Sequence, residues 1–243
     1  MLATLRAAGF DVLARNHAEA ILSHDFPQAT AEIVAALIAF RIEMAEVMGG
    51  GGGESGQTRR LRHALAEAGW RKHRFNVQTI VDGTPREGVS HEVDHVRFTD
   101  AGALALEIEW NNKDPFFDRD LENFQRLHAL SAISLGIIVT RGRSMQEALP
   151  GRILGWLHAQ GLAGEADLER LGLAARTVAQ RRTVAGQVAR GADFADAFSR
   201  KFTADKFGPA TTHWAKLEDR VARGVGNPCP LLLIGLPAAI LAG

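Results

Sequence analysis

The stretch EVDHVRFTDAGALALEIEW, residues 92–110, constrains this chain more than any other. Its first arm, Glu92 to Phe98, alternates apolar and polar residues as a half-buried strand does. The turn Thr99-Asp100-Ala101-Gly102 then returns the chain into Leu104-Ala105-Leu106-Glu107-Ile108-Glu109, so the two arms read as a β-hairpin. Residues two apart in a strand share a face, so Glu107 and Glu109 aim together. The turn brings Asp94, on the other arm, roughly alongside them. Carboxylates so close repel one another unless a cation joins them. Hard oxygen ligands select magnesium or manganese, and such an ion holds phosphate, lowers the pKa of water and stabilises a leaving oxygen. The chemistry suggested is phosphodiester hydrolysis. The same spacing also suits a solvated acidic face on an exposed hairpin, and the residues alone leave both readings open.

Helical spacing of apolar residues predicts a helix over 29–48, stopped by the glycine run Gly49–Gly53, which serves as a flexible connector or allows a close backbone approach. A second helix is expected over 55–68, closed by Gly69 before Trp70. Residues 74–82 read as extended and Gly88–Ser90 as loop. A helix over 118–132, a buried strand over 135–140, a helix over 212–224 and the apolar strand PLLLIGL over 230–236 follow. From about residue 151 the composition turns to Ala, Arg, Leu and Gln. The expectation is one domain over 1–243 with a helical insertion or sublobe at about 145–200.

The chain is long and apolar enough, at 243 residues and 46% hydrophobic, for one sizeable core. Lys+Arg and Asp+Glu balance at 28 each, so any basic cleft is offset by acidic groups elsewhere. The single cysteine, Cys229, excludes a disulfide framework and a cysteine-based zinc site. The N-terminus lacks a signal-peptide pattern, and the apolar tail 229–243 is short and broken by Pro237, so a cytoplasmic protein with no membrane partner is expected. No Gly-Lys-Ser/Thr follows the glycine run, and there is no G-x-S-x-G elbow.

Asp94, followed after a hairpin by Glu107-Ile108-Glu109, resembles the PD-(D/E)XK nuclease motif. More narrowly it resembles type II restriction endonucleases of the BglII and BamHI kind, a branch that often carries glutamate or glutamine in place of the motif's lysine, as Glu109 does here. Val93 stands where the motif name expects proline. The segment RRLRHALAEAGWRKHRF and the closing unit TTHWAKLEDRVARGVGNPCPLLLIGL are similar to the family's flanking elements. The resemblance covers roughly residues 50–142 and 205–237, leaving 1–28 and about 145–200 without a counterpart. It implies an α/β fold, a restriction-endonuclease-like core whose mixed central sheet is flanked by helices. It also implies a magnesium-dependent enzyme, with manganese substituting. Asp94, Glu107 and the backbone carbonyl of Ile108 would bind the metal, and Glu109 would bind or orient the attacking water. Glu67 or His73 is the candidate for a further polar residue near the preceding helix, although a histidine in the run RKHR equally suits a phosphate contact or the surface.

For reading DNA, Asn111 and Asn112 follow the catalytic strand where this family places base contacts, a position that also suits an Asx turn. In the loop 204–214, Lys206, Thr211, Thr212 and His213 precede a helix, so one threonine is expected to cap it while the other reads a base. Lys113, Arg119, Arg141 and Arg143 are candidate phosphate clamps, each equally suited to a solvated or salt-bridged place. The implied partners are double-stranded DNA cut at a short palindrome, a second copy of the chain in a homodimer, and a cognate DNA methyltransferase in the same bacterial system. Two other readings are a non-catalytic DNA-binding protein that retains the fold, against which the intact acidic triad speaks, and a repair or structure-specific nuclease.

Overall fold

The computed structural model describes residues 1–49, 55–86 and 88–243. The chain begins with α1 (Leu2–Ala7), β1 (Asp11–Arg15), α2 (Ala18–His24), α3 (Pro27–Ala39), α4 (Met44–Met48) and α5 (Gly56–Glu67). Three sheet strands follow, β2 (Arg71–Val77), β3 (Val89–Thr99) and β4 (Gly102–Glu109). Next come α6 (Phe116–Ala129), β5 (Leu135–Arg141) and α7 (Arg143–Ala159). The chain ends with α8 (Glu165–Arg170), α9 (Val178–Val188), α10 (Phe194–Phe207), α11 (Trp214–Ala222) and β6 (Leu231–Leu236). The sheet order is β1-β6-β5-β4-β3-β2, parallel at β6/β5 and β5/β4 and antiparallel elsewhere.

Burial on both faces explains the unbroken apolar runs of β5 and β6, every residue of which is buried. Leu104, Leu106, Ile137, Val139 and Ile234 belong to a core that includes residues of α3, α5, α7 and α10. Ala103, Ala105, Ile138 and Leu233 face Phe117, Leu121 and Phe124 of α6 and Trp214 and Leu217 of α11. The result is a mixed sheet between two helical layers. Leu168, Val184 and Phe198, from α8, α9 and α10, share the first core, so the stretch 145–200 packs onto the sheet through α7. Residues 1–28 supply β1, which pairs with β6 and forms one edge of the sheet.

The hairpin turns at Thr99 and Gly102, and α5 starts at Ser55, whose hydroxyl accepts from Thr58 N–H at 3.4 Å. Gly69, just past α5, adopts φ +96°, which only glycine takes without strain. The expected helix over 29–48 is not continuous. α3 stops at Ala39, Phe40 turns extended, and Ile42–Glu43 pairs in parallel with Leu241–Ala242. Burial there switches to period two through Phe40, Ile42 and Met44, before the Glu43–Glu46 capping box opens α4. Of the glycine run, residues 50–53 lie outside the described residues. Ser90, expected in a loop, lies in β3. Among the described residues no helix is long and apolar enough to cross a membrane.

Gly136 in β5 leaves no room for a side chain, because a Cβ there would overlap the ring of Phe124 on α6. Gly136→Ala is expected to lower unfolding stability by about 1–3 kcal/mol through overpacking. Adding Phe124→Leu should recover part of that loss in a double-mutant cycle measured by denaturant titration, and strict additivity would contradict the contact.

Candidate active site

The site forms where β4 ends, between the middle of β3 and α6. The register pairs His95 with Leu106, and the Asp94 backbone N–H donates to Glu107 Oε1 at 3.4 Å. Across the other edge, Arg71 pairs with Val96 and His73 with Val93, so Asp94 and His95 together stand opposite Lys72. Such a β-bulge re-aims a side chain. Asp94 is turned outward, its side chain 56% exposed and its carboxylate 3.6 Å from Lys72 Nζ.

Glu107 and Glu109 are buried on the α6 side. A third carboxylate, Asp120 of α6, joins them, and it is only 2% exposed. Sequence reasoning did not assign it, although its spacing from Phe117 and Phe124 puts it on the helix's buried stripe. Arg119 Nε and Nη2 hold Asp120 Oδ1 at 2.9 and 2.8 Å, and Nη2 lies 3.7 Å from Glu109 Oε1. The Arg119 guanidinium also lies over the Phe116 ring, 4.4 Å from its centroid. From the other side Asn112 Nδ2 donates to Glu109 Oε2 at 2.6 Å. Asp120 Oδ2 is buried with no N–H donor facing it.

This cluster carries more negative charge than its surroundings balance. Burial, followed by the charges of Asp120 and Asp94, holds the Glu107 carboxyl well above the usual range. Burial and then Asp120 push Glu109 up to about 8. Burial raises Asp120 too, against the opposing pull of Arg119. A proton on Glu109 facing Asp120 is one way to relieve the repulsion, and a divalent cation is another. Among the described residues no three His, Cys, Asp or Glu side chains close a cage for a metal. The donor set is all oxygen and fits a hard cation.

The two loops expected to read DNA lie together. Thr212 N–H donates to Asn112 O at 2.8 Å, Asp114 N–H donates to Ala210 O at 3.1 Å, and Lys113 bridges Thr211. A cleft of about 700 Å³ opens beside Asp94, lined by Thr58, Arg62, Arg71, Lys72, Asn111 and Asn112 among others. Lys113 and Arg119 are exposed.

Other expectations are corrected. Arg141 is fully buried and cannot clamp phosphate from the surface. Its Nε donates to Trp110 O at 2.8 Å and its Nη2 to Thr211 Oγ1 and Thr212 O at 2.6 Å, so it straps the two loops together, and burial lowers its pKa to about 9. Lys206 is turned inward onto the carbonyls of Val47 and Gly49. The Thr212 side chain is buried, and the cap position of α11 is His213, so neither threonine caps that helix. Thr211 Oγ1 instead donates to Gly208 O at 2.7 Å. Burial, then Arg141 and Lys216, lowers the His213 pKa. Arg143 sits at the start of α7, paired with Glu218. Glu67 is exposed at the end of α5, and His73 packs edge-on to Phe75 and Phe98, at 4.6 and 5.0 Å between ring centroids. Neither joins the carboxylate cluster.

The family model for restriction endonucleases BglII/BglIII matches residues 10–236, which takes in all six sheet strands and both loops. The chain belongs to the BglII/BglIII restriction endonuclease family. It is therefore a type II restriction endonuclease, a hydrolase of duplex DNA. No curated protein matches it. In this family member the carboxylates stand at the same end of the sheet as the paired loops.

The raised Glu109 pKa carries a sign for stability. A carboxyl whose folded-state pKa exceeds its unfolded value favours the fold at low pH, and that favour is lost as pH rises through the folded pKa. Without divalent metal, thermal stability is expected to fall between roughly pH 5 and about 8 on this account. Glu109→Gln should flatten the decline, and an unchanged slope would show that Glu109 is not the group responsible.

Proposed function

We propose that this restriction endonuclease is magnesium-dependent, works as a homodimer on a short palindromic site, and uses Asp94, Glu107 and Glu109 as its cutting residues. The observation that carries this reading is the buried Glu107–Glu109–Asp120 cluster, short of positive charge, one strand-end away from Asn112. Asp94, Glu107 and the Ile108 carbonyl would hold the cation. When bound, a divalent cation there would neutralise the carboxylates, hold the scissile phosphate and make a water more acidic.

The chain's own groups then divide the work. Glu109 orients the attacking water and accepts its proton, the role supported by its raised pKa. Asp120, acting through Arg119, positions Glu109 against the pull of Asn112. Lys72 pairs with Glu92 and Asp94 beside the cleft, offsetting one of their two charges, and lies where a DNA phosphate would approach. Asn111 and Asn112 are the base-reading pair, while Lys113 and the exposed part of Arg119 contact phosphate. Each chain carries one such cluster, and cutting both strands of a palindrome needs two related by a two-fold axis. A DNA methyltransferase of the same specificity would protect the host.

Purified protein is expected to cleave duplex DNA with magnesium or manganese, and to bind without cutting in calcium. Cleavage in excess chelator would overturn the mechanism. Glu107→Ala and Glu109→Ala should each lower the cleavage rate by about 10²–10⁴-fold while calcium-supported binding persists. Asp120→Asn is expected to lower kcat with little change in DNA affinity, and normal cutting by Glu109→Ala would remove Glu109 from the chemistry.

Reading and assembly are tested separately. Asn112→Ala should cost about 1–3 kcal/mol of discrimination at one base pair, measured as cognate against scrambled-duplex affinity. Solution mass should be twice 26.3 kDa. A monomer that makes double-strand breaks would refute the symmetric arrangement.

A further inference from the structure

Between α10 and the segment joining α8 to α9 lies a cavity of about 120 Å³, away from the acidic cluster. Arg176, Lys201 and Lys206 form its polar wall, and Leu173, Phe198 and Phe202 its apolar one. The Arg176 side chain is only 8% exposed. Its Nη2 pairs with Glu165, while among the described residues Nε and Nη1 are buried without a partner. Its guanidinium lies 5.5 Å from the Phe198 ring centroid, which fixes its position.

Lys206 reaches the same cavity from α10. Its Nζ donates to Val47 O at 2.8 Å and to Gly49 O, both neutral, and lies 5.3 Å from the Phe202 ring centroid. Among the described residues no carboxylate pairs with it. Lys201 is paired with Asp205. Glu165 and Asp205 thus leave one of the three cations uncompensated. A buried donor without a partner and a buried charge without a counter-ion are both destabilising. Water would satisfy the N–H groups but would leave the charge unbalanced, whereas an anion answers both. At roughly 30 Å³ per water the cavity has room for about four, comparable to a tetrahedral oxyanion.

We propose that this cavity binds a phosphoryl oxyanion, held by the Arg176 guanidinium and the Lys206 ammonium. Guanidinium and ammonium groups together are a common recognition pair for phosphate oxygens. The small volume favours free inorganic phosphate over a phosphate carried on a DNA strand. The site stands apart from the assignment of cutting residues and does not depend on it.

The test is thermal unfolding of the whole protein at pH 7 in sodium phosphate, against sodium chloride of equal ionic strength. Phosphate also stabilises proteins by exclusion from their surface, an effect that does not saturate at millimolar concentration. Wild-type protein is expected to show a saturable rise in midpoint, and Arg176→Gln and Lys206→Met should each weaken the apparent phosphate affinity at least tenfold. Arg176→Lys should retain part of it. Duplex affinity in calcium supplies the second arm. If Arg176→Gln binds DNA normally, the anion is free phosphate. A uniform loss of affinity with a flatter salt dependence assigns it to the DNA backbone. The proposal is overturned if phosphate acts no differently from chloride while DNA binding is unchanged, or if both variants respond to phosphate as wild type does. Should Arg176→Gln fail to fold, Lys206→Met alone decides.

Discussion

Three carboxylates buried around a single guanidinium set the terms for this molecule. Glu107, Glu109 and Asp120 are each less than a tenth exposed, and among the described residues Arg119 is the one cation paired with the cluster, through Glu109 and Asp120. Burying like charges is unfavourable, so the frame around them has to be rigid enough to prevent their escape to water. The frame is made by β4 in mid-sheet on one side and by α6, anchored through Phe117, Leu121 and Phe124, on the other. A looser scaffold would relax by exposing the acids, and the affinity for cations would fall with it.

A second frame stands behind the loops that follow β4 and precede α11. Among the described residues Arg141 has no carboxylate partner; its Nε and Nη2 donate to carbonyl and hydroxyl oxygens of residues 110, 211 and 212, while its Nη1 is buried without a hydrogen bond. It joins the segment after β4 to the segment before α11. Arg220 adds to this by pairing with Asp114 and Asp118. The Asn112 amide, bound to Glu109, therefore rests on a platform fixed from below. Under the proposed function, a displacement of Asn112 by DNA would be felt directly at Glu109, a physical route from recognition to cutting.

Much of this was legible in the sequence, because it depends on local patterns. The hairpin, the shared face of Glu107 and Glu109, and the buried strands β5 and β6 follow from alternation and apolar runs. What was not legible depends on partners distant in the chain. The break after Ala39 answers to pairing with Leu241, and the burial of Arg141 answers to residues 211 and 212. Asp120 looked like one charge in the polar run Asp118-Arg119-Asp120. Its isolation from water becomes visible only when α6 is laid on the sheet.

The strand order has a consequence for when this enzyme becomes dangerous. β6, the last sheet strand in the chain, lies between β1 and β5, and β1 has no other neighbour in the sheet. β1 finds its partner only when residues 231–235 are present, a pairing between segments far apart in the chain, so the sheet closes late in folding. An unfinished polypeptide holds the acidic hairpin but lacks the completed scaffold that keeps its charges buried. Without residues 231–236, β1 has no partner in the sheet and β5 keeps one open edge, so the frame around the carboxylates stays incomplete until that strand is in place.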